Sequence, residues 1–380
     1  METKINIPFN KPYLSGKELE YIKIATESGK ISGDGIFTKK CHHFFESRYG
    51  FNKCLLTTSC TDALEMAAIL LNIQPDDEVI IPSYTFVSTA NAFALRGAKI
   101  IFVDSTSLNP NIDTNAIEDL ITNKTRVIVP VHYAGIACNM DKIMQLAKKY
   151  SLWVVEDAAQ GVDSYFNGNP LGGIGHLSAF SFHETKNVIS GEGGMLVIND
   201  PTLFERAEII REKGTNRSAF FRGEVNKYGW VDIGSSFLPS EITAAFLYAQ
   251  LEKLEDIQQR RKSLWQRYWD GLVYIGEKFN IRLPSFIEGS TNNAHMFYLV
   301  CESFEQRTKL LTALKKSNIL AVFHYLSLHK SDYYKHKYQG KDLYWSDYYT
   351  DCLVRLPLFY ELSEMNQDYI IDSISNALDN

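Results

Sequence analysis

The sequence predicts an α/β protein with a mostly parallel sheet and a smaller second domain. Through the first two thirds of the chain, apolar segments rich in β-forming residues alternate with helix patterns, as in parallel sheets covered by helices. With 380 residues, of which 45% are hydrophobic, the chain is long enough for a large domain and a smaller one. A long, polar helix pattern then leads into the last third.

The strand predictions are taken in chain order. A first strand ends near residue 58, and four continuous apolar runs follow it at residues 79–81, 99–103, 126–131 and 152–155. Helix patterns lie between them at residues 62–71, 88–95, 114–121 and 140–149. After Phe180, the apolar run 195–198 follows a glycine-rich turn, which favours a local antiparallel hairpin.

The rest of the chain predicts the smaller domain. From Pro239 a helical stretch continues to about Leu272 and bridges the two units. We place the large domain at residues 1–251 and the small C-terminal domain at residues 252–380.

Charge and hydropathy exclude several function classes. A net charge of −6 and a pI near 5.9 give no general attraction to nucleic acid. No apolar run approaches the roughly 18 to 20 residues of a membrane span, and Met1 to Lys4 lack the apolar core of a signal peptide. We therefore expect a cytoplasmic protein without membrane or nucleic-acid partners.

Cysteine and histidine spacing argues against a metal centre. The six cysteines show neither paired metal-ligand spacing nor a disulfide framework, so free thiols are expected. His183, His324 and His329 also lack recognisable ligand spacing, and no metal is predicted.

Lys186 lies between a short apolar strand and a glycine-rich turn, in the segment 181–187 that precedes Gly191-Glu192-Gly193-Gly194. A lysine reacts as an amine only when uncharged, and burial beside a cofactor lowers its pKa enough for that. The alternative is an ordinary solvated lysine. The residues that the fold brings next to Lys186 distinguish the catalytic lysine from the solvated one.

The segment 55–64 indicates a phosphate site. A strand ends there in small hydroxyl residues and a helix begins, which presents unpaired N–H groups and the positive end of the helix dipole. Ser59 and Thr61 can add hydroxyl donors. Capping of the helix by either residue is the alternative, and the two roles are compatible.

Two further segments follow strands at the same expected edge of the sheet. Asp157 ends an apolar strand, where a carboxylate can keep a pyridine ring protonated, and Gln160 lies one turn further on. Helix capping, or a ribose or metal contact, is the alternative for Asp157. Phe86 can stack on a flat cofactor or belong to the core. In this order the segments describe a pocket for pyridoxal 5'-phosphate (PLP).

With these motifs in place, the chain resembles the DegT/DnrJ family of nucleotide-sugar aminotransferases, which are PLP enzymes of fold type I. The resemblance runs from Ile7 to Leu358 and is strongest at residues 82–92, 131–135, 181–187 and 211–217. It implies a large domain with a mostly parallel, seven-stranded sheet between helices, followed by a small α+β domain.

The resemblance also implies roles for individual residues. Lys186 matches the family's Schiff-base lysine, Asp157 the partner of the pyridine nitrogen, Gln160 the contact to the ring hydroxyl and Phe86 the stacking ring. Thr61 and Ser181 match the family's phosphate ligands. Ser59, Cys60 and Ser236 are further candidate cofactor contacts. Cys60 stands where glycine is frequent, and Ser236 stands where many relatives carry an asparagine that reaches the phosphate of the neighbouring subunit.

For the substrates, the resemblance implies transfer of an amino group from L-glutamate to C4 of dTDP-4-keto-6-deoxy-D-glucose, giving dTDP-4-amino-4,6-dideoxy-D-galactose. Such products serve surface polysaccharides, as in lipopolysaccharide or enterobacterial common antigen biosynthesis. The expected assembly is a homodimer, with 213–217 as a lid. Candidate sugar-nucleotide contacts are Lys30, Arg217, Arg222, His324 and His329.

Other activities are weighed beside this one. Amination at C3, or a product of gluco configuration, would use the same pocket. A sugar dehydratase of the same fold carries histidine in place of the lysine, which Lys186 opposes. Fusion to a DNA-binding domain would support a non-catalytic regulator, whereas this chain begins almost directly with the family's N-terminal motif.

Overall fold

A computed structural model of the protein describes residues 6–379, and its elements follow the alternating order predicted above. The helices are α1 Glu18–Glu27, α2 Ile36–Tyr49, α3 Cys60–Leu70, α4 Val87–Ala94, α5 Met140–Tyr150, α6 Phe204–Arg211, α7 Arg217–Phe221, α8 Glu241–Leu251, α9 Leu254–Phe279, α10 Phe304–Lys316, α11 Tyr344–Cys352 and α12 Glu364–Asp379. The strands are β1 Lys53–Thr57, β2 Glu78–Pro82, β3 Lys99–Val103, β4 Thr125–Ile128, β5 Trp153–Asp157, β6 Tyr165–Phe166, β7 Asn169–Pro170, β8 Leu177–Ser181, β9 Gly194–Ile198, β10 Phe297–Val300 and β11 Leu353–Leu356.

Seven strands form one sheet in the order β1-β9-β8-β5-β4-β2-β3. The pairs β2 with β3, β2 with β4, β4 with β5, and β5 with β8 are parallel. Only β9 runs against its neighbours, since it pairs antiparallel with both β8 and β1. The predicted α/β class, the seven-stranded sheet and the local hairpin are thereby confirmed.

This topology places the candidate site residues at one edge of the sheet. Because β1, β2, β5 and β8 point the same way, the segments that follow them meet where ligands of open α/β sheets bind. These are the helix start at Ser59, the loop before Phe86, the end of β5 at Asp157 and the loop after Ser181.

The C-terminal part, residues 254–379, packs α9, α10, α11 and α12 with the two-stranded sheet of β10 and β11. Its hydrophobic cluster includes Trp265, Phe297 and Leu353, but also Tyr84 and Tyr133 from the other part. The predicted domain boundary at 251/252 falls at the break between α8 and α9 and stays a prediction.

Two predicted helices differ from the structure. Residues 114–121 form only a 3-10 turn, Glu118–Leu120, because the Asp113 side chain accepts the Asn115 N–H and begins a turn instead of a helix. The stretch predicted from Pro239 to Leu272 is two helices, α8 and α9, interrupted at residues 252–253. The helix α8 packs on α1 and α2, whereas α9 packs on α12. The break at residues 252–253 allows the two helices to pack on these different partners.

A smaller difference concerns the strand predicted at residues 126–131. The strand β4 ends at Ile128, since Pro130 has no N–H to donate to the sheet.

No helix within residues 6–379 is long and apolar enough to cross a bilayer. The expectation about a signal peptide at Met1 to Lys4 lies outside the described residues.

Candidate active site

A cavity of about 530 Å³ opens at the carboxyl edge of the sheet. It is lined by nine of the residues predicted from sequence: Ser59, Cys60, Thr61, Phe86, Asp157, Gln160, Ser181, Lys186 and His324. Four separate loops of the large part and one segment of the C-terminal part supply them. The fold therefore gathers residues that are up to 265 positions apart, from Ser59 to His324.

The N-terminus of α3 forms one wall of this cavity. Ser59 caps the helix, because its Oγ accepts the N–H of Asp62 at 3.0 Å, while Thr61 Oγ1 donates to Ser88 Oγ at 2.8 Å. The next strand passes so close that a Cβ on Gly194 would lie 2.3 Å from the Ser59 carbonyl. Only glycine at this position lets β9 and the helix start share the wall, which leaves the first N–H groups of α3 facing the cavity.

Asp157 is buried at the end of β5, with 6% of its surface exposed. Its carboxylate accepts hydrogen bonds from Thr89 Oγ1 at 2.7 Å and from the Ala159 N–H at 3.2 Å. Burial raises the pKa of this carboxyl, while the two hydrogen bonds and the nearby Lys186 charge oppose the rise. The site thus holds a buried carboxyl group that has hydrogen-bonding capacity left for a further partner.

Lys186 lies in the loop between β8 and β9. Burial lowers the pKa of its ammonium group to about 8, and the Arg355 charge contributes to the same decrease. The loop is held by hydrogen bonds from Lys186 N to the His183 carbonyl and from Glu184 N to the Gly191 carbonyl. A lysine with this pKa has a substantial neutral fraction near neutral pH, which an amine nucleophile requires.

Gln160 and Tyr325 form a hydrogen-bonded pair across the cavity. The Gln160 Oε1 accepts the Ala134 N–H at 2.6 Å, and its Nε2 donates to the Tyr325 hydroxyl at 3.2 Å. The Tyr325 proton therefore remains available to a ligand. Phe86, whose ring lies 5.9 Å from the Tyr325 ring, is 54% exposed although it lines a cavity. A half-exposed ring on a cavity wall is available for stacking.

His324 and Arg355 reach the cavity from the C-terminal part. Burial lowers the pKa of His324, and the Arg355 charge lowers it further, so the imidazole is neutral. Its Nδ1 is buried without a hydrogen-bond partner in residues 6–379.

Five predicted contacts lie away from the cavity of this chain. Ser236 is exposed and pairs with Glu212 in an isolated bridge, and Lys30 donates to the Asp34 carbonyl at 2.8 Å. The other three are Arg217, Arg222 and His329. Arg217 stacks on Phe221, and Arg222 bonds to Glu208 and Glu224. For the four exposed residues among the five, the predicted contacts to the cofactor or the sugar nucleotide stay predictions.

His329 is a different case because it is buried. Its Nδ1 lies 2.7 Å from the Ser83 Oγ, and its Nε2 lies 3.7 Å from an Asp347 oxygen. This arrangement ties the C-terminal part to the loop after β2 instead of presenting the imidazole to a ligand. The predicted substrate contact receives no support from this position.

Sequence reasoning missed Thr89 and Arg355 as site residues. Thr89 is one helical turn after Thr85 in a plain helix pattern, so nothing marked it as a partner of Asp157. Arg355 carried a usable signal, since it is the one charged residue in the apolar strand β11 and is 7% exposed. A charge within a buried strand indicates a specific partner or ligand.

Comparison with known proteins agrees with this geometry. The model of the DegT/DnrJ/EryC1/StrS aminotransferase family matches residues 12–375. The chain is 32% identical to the GDP-perosamine synthase of Escherichia coli O157:H7, covering 97% of this chain and 98% of that protein. It is 29% identical to the UDP-4-amino-4-deoxy-L-arabinose–oxoglutarate aminotransferase of Shewanella sediminis, covering 98% of each.

Solved structures show the same likeness. A Streptococcus pneumoniae protein assigned as a sugar aminotransferase superposes with a TM-score of 0.90 in its pyridoxamine phosphate form, at 26% identity, over 98% of this chain and 99% of the other. The PLP form of that protein superposes with a TM-score of 0.89. The protein is thus a PLP-dependent transaminase, and its chain belongs to the DegT/DnrJ/EryC1/StrS aminotransferase family.

Proposed function

We propose that this sugar-nucleotide aminotransferase transfers the amino group of L-glutamate to C4 of dTDP-4-keto-6-deoxy-D-glucose and releases dTDP-4-amino-4,6-dideoxy-D-galactose. The observation that carries the proposal is Lys186, partly buried with a pKa of about 8, in one cavity with the buried carboxylate Asp157. The sugar is proposed from the motif resemblance at residues 82–92, 181–187 and 211–217. The name of the Shewanella sediminis relative supports amination at C4 with oxoglutarate as co-substrate.

The described residues fit the phosphate group of PLP at the start of α3. The first N–H groups of the helix, the Ser59 and Thr61 hydroxyls and Ser181 all line the cavity there. An anion at this end also gains from the helix dipole, by about 0.3–1 kcal/mol for an exposed group and more when it is partly buried. Gly194 allows β9 to approach the Ser59 carbonyl and the Cys60 nitrogen closely. A phosphate bound here would accept hydrogen bonds from the backbone N–H groups at the start of α3.

The same cavity fits the pyridine ring. Phe86 offers its exposed face for stacking, and Asp157 offers a carboxylate for the ring nitrogen. Gln160 and Tyr325, which are hydrogen-bonded to each other, offer donors for the ring hydroxyl. When bound, PLP accepts the electron pair left on the donor's α-carbon as its proton departs. Asp157 stabilises that charge by holding the ring nitrogen protonated, and this kind of fixed electrostatic help is worth orders of magnitude in rate.

Lys186 has two proposed tasks. It would hold the cofactor through its amine before the donor arrives, and as a free amine it would take the proton from the donor's α-carbon and pass it on. With a pKa of about 8 instead of 10.5, its neutral fraction at pH 7.5 increases from about 0.1% to about a quarter. The second half of the reaction uses the same steps in reverse, with the keto sugar in place of the keto acid.

The homodimer is part of the proposal. The segment from Arg217 to Ile233 exposes large apolar side chains, including Trp230 with 85% and Phe221 with 69% of its surface accessible. A second copy of the chain is the partner that the resemblance implies for this face. In that arrangement Lys30, Ser236, Arg217 and Arg222 are the proposed contacts to the neighbouring site.

The test is the structure of the product. Holoenzyme with L-glutamate is given the 4-keto-6-deoxyhexose bound to dTDP, GDP or UDP in parallel, and the product is analysed by NMR. We expect an axial amine at C4 from the dTDP substrate, with at least tenfold higher kcat/KM than from the other two nucleotides. An amine at C3, an equatorial amine at C4, or preference for GDP or UDP would overturn the assignment of the substrate while leaving the aminotransferase activity.

A further inference from the structure

The segment 324–329 joins the C-terminal part of the chain to the cavity wall. Tyr325, near its start, lines the cavity, while His329 at its end is buried with 3% of its surface exposed. His329 and its neighbour Leu328 both bond to Ser83, in the loop after β2. The segment therefore meets the sheet edge at a defined point beyond the tyrosine.

Three hydrogen bonds fix Ser83 to this segment. Its carbonyl accepts the Leu328 N–H at 2.9 Å, and its Oγ accepts the His329 N–H at 3.3 Å. Since that oxygen already accepts, its own proton is directed at His329 Nδ1, which lies 2.7 Å away. Ser83 is completely buried, so water does not compete for these bonds.

The imidazole of His329 has one tautomer in this arrangement. With Nδ1 accepting from Ser83, the ring proton lies on Nε2, which is buried without a hydrogen-bond partner in residues 6–379. An Asp347 oxygen lies 3.7 Å from Nε2, but that carboxylate is paired with Lys330 at 2.6 Å. Burial lowers the pKa of His329, which keeps the ring neutral and Nδ1 free to accept.

A second contact holds the same two segments together closer to the cavity. The Tyr84 hydroxyl donates to the His324 carbonyl, and the Tyr133 hydroxyl bonds to the same carbonyl at 3.2 Å. Tyr325 follows this carbonyl directly, and Phe86 belongs to the same loop as Tyr84. The rings of Tyr325 and Phe86 are 5.9 Å apart, and both line the cavity. The spacing of these two rings therefore depends on how the segments are joined.

We propose that Ser83 and His329 are a positioning pair, which sets the placement of the Tyr325 and Phe86 rings around the flat ring of PLP. Neither Ser83 nor His329 belongs to the lining of the cavity, so the pair acts through the loop and the segment that it joins. The inference concerns the cofactor site and holds whichever sugar nucleotide is the substrate.

The alternative is a general tie between the two parts of the chain, and the structure offers a matched example of one. Ser346 is also completely buried, and its Oγ donates to Asp104 at 2.8 Å. This bond joins α11 to the segment after β3, and neither residue lines the cavity. Ser346→Ala therefore removes a buried serine hydroxyl between the same two parts and leaves the loop that carries Phe86 as it is.

The experiment compares Ser83→Ala, His329→Leu and His329→Asn with the control Ser346→Ala. In His329→Asn, the amide oxygen takes the place of Nδ1 as acceptor. For the full chain with and without PLP, nitrogen-15 NMR of the histidine rings reports the tautomer, and hydrogen exchange read by mass spectrometry reports the backbone N–H groups of residues 324–331. PLP affinity is measured by equilibrium dialysis, and visible circular dichroism reports how the bound cofactor is surrounded.

We expect an unprotonated Nδ1 on His329 in the parent enzyme, and in Ser83→Ala a mixture of tautomers with faster exchange at residues 324–331. PLP binding should weaken about tenfold in Ser83→Ala and His329→Leu, about 1.4 kcal/mol, with a smaller dichroism signal at saturating PLP. His329→Asn keeps the bond to Ser83 and is expected to stay within about threefold of the parent enzyme. Ser346→Ala lowers the melting temperature but retains the PLP affinity and the dichroism.

Three outcomes overturn the inference. One is unchanged PLP affinity and dichroism in Ser83→Ala, and another is an equal loss in Ser346→Ala, which indicates a general structural role. The third is a protonated Nδ1 on His329 in the parent enzyme, because the bond to Ser83 would then run in the opposite direction and asparagine could not replace it. If His329→Leu does not fold, Ser83→Ala and His329→Asn decide by the same comparison with Ser346→Ala.

Discussion

Replacing Thr89 by valine tests whether the hydroxyl behind Asp157 tunes the cofactor site. Thr89 is fully buried, and its Oγ1 lies 2.7 Å from the Asp157 carboxylate and 2.9 Å from the Thr85 hydroxyl. Since a carboxylate only accepts, Thr89 donates to Asp157 and Thr85 donates to Thr89. Valine has nearly the shape of threonine, so the change removes this relay with little change of volume.

The expected loss of reaction rate follows from the hydrogen bond between Thr89 and Asp157. A hydrogen bond to a charged group contributes about 1.5–3 kcal/mol, and a difference of 1.36 kcal/mol corresponds to one pKa unit. The bond from Thr89 favours the ionised carboxylate, so its loss raises the pKa of Asp157 further. The bond from Ala159 N–H remains. A carboxyl that holds its proton more tightly supports the ring nitrogen less, and we expect the glutamate half-reaction to slow by about 10- to 100-fold.

The assay is single-turnover absorbance with L-glutamate between pH 5 and 9. In Thr89→Val, the pH below which the rate falls should move upward, because the acid form of Asp157 persists to higher pH. Thr89→Ser keeps the hydroxyl and serves as the control, with a profile close to that of the parent enzyme. The reasoning is refuted if valine leaves both rate and profile unchanged, or if serine costs as much as valine.

Two further predictions concern Lys186 and Gly194. Borohydride reduction of the holoenzyme followed by peptide mass analysis should place the cofactor on Lys186, and a label on another lysine, or none, would contradict the assignment. In Gly194→Ala, the new Cβ would lie 2.3 Å from the Ser59 carbonyl and 2.4 Å from Cys60 N, so the start of α3 has to move. We expect cofactor affinity, measured by equilibrium dialysis, to fall at least tenfold, about 1.4 kcal/mol. Unchanged affinity would show that the phosphate is not held there.

The main features of the fold could be predicted because its strands are apolar throughout. The runs that end at Pro82 and Asp157 are buried on both faces, and such runs predict parallel strands without any knowledge of their order. Cofactor candidates at the ends of these strands were then brought together by topology alone. Lys186 and Asp157 lie in one cavity for this reason.

The rest could not be predicted because it depends on contacts between distant segments. Nothing in the helix pattern around Thr89 shows that its hydroxyl faces Asp157, 68 positions away. His329 resembled a pocket residue in sequence, yet it bonds Ser83, which is 246 positions away. Partners at such separations are set by the packing of the C-terminal part on the sheet edge, and one sequence carries no direct signal of it.

The reversed strand β9 explains why the lysine remains at the site. After β1 and β2, the chain leaves the ligand edge in a helix, α3 or α4, that carries later residues away. After β8 it returns directly as β9, so that the whole connecting loop, residues 182–193, stays over the edge.

The loop is also anchored by the C-terminal part of the chain. Asn187, next to the lysine, donates to Gln258 of α9 at 2.8 Å and to the Asn293 carbonyl at 2.9 Å, and its Oδ1 accepts from His295 Nδ1 at 2.9 Å. The position of Lys186 is therefore fixed jointly by the sheet and by the C-terminal part.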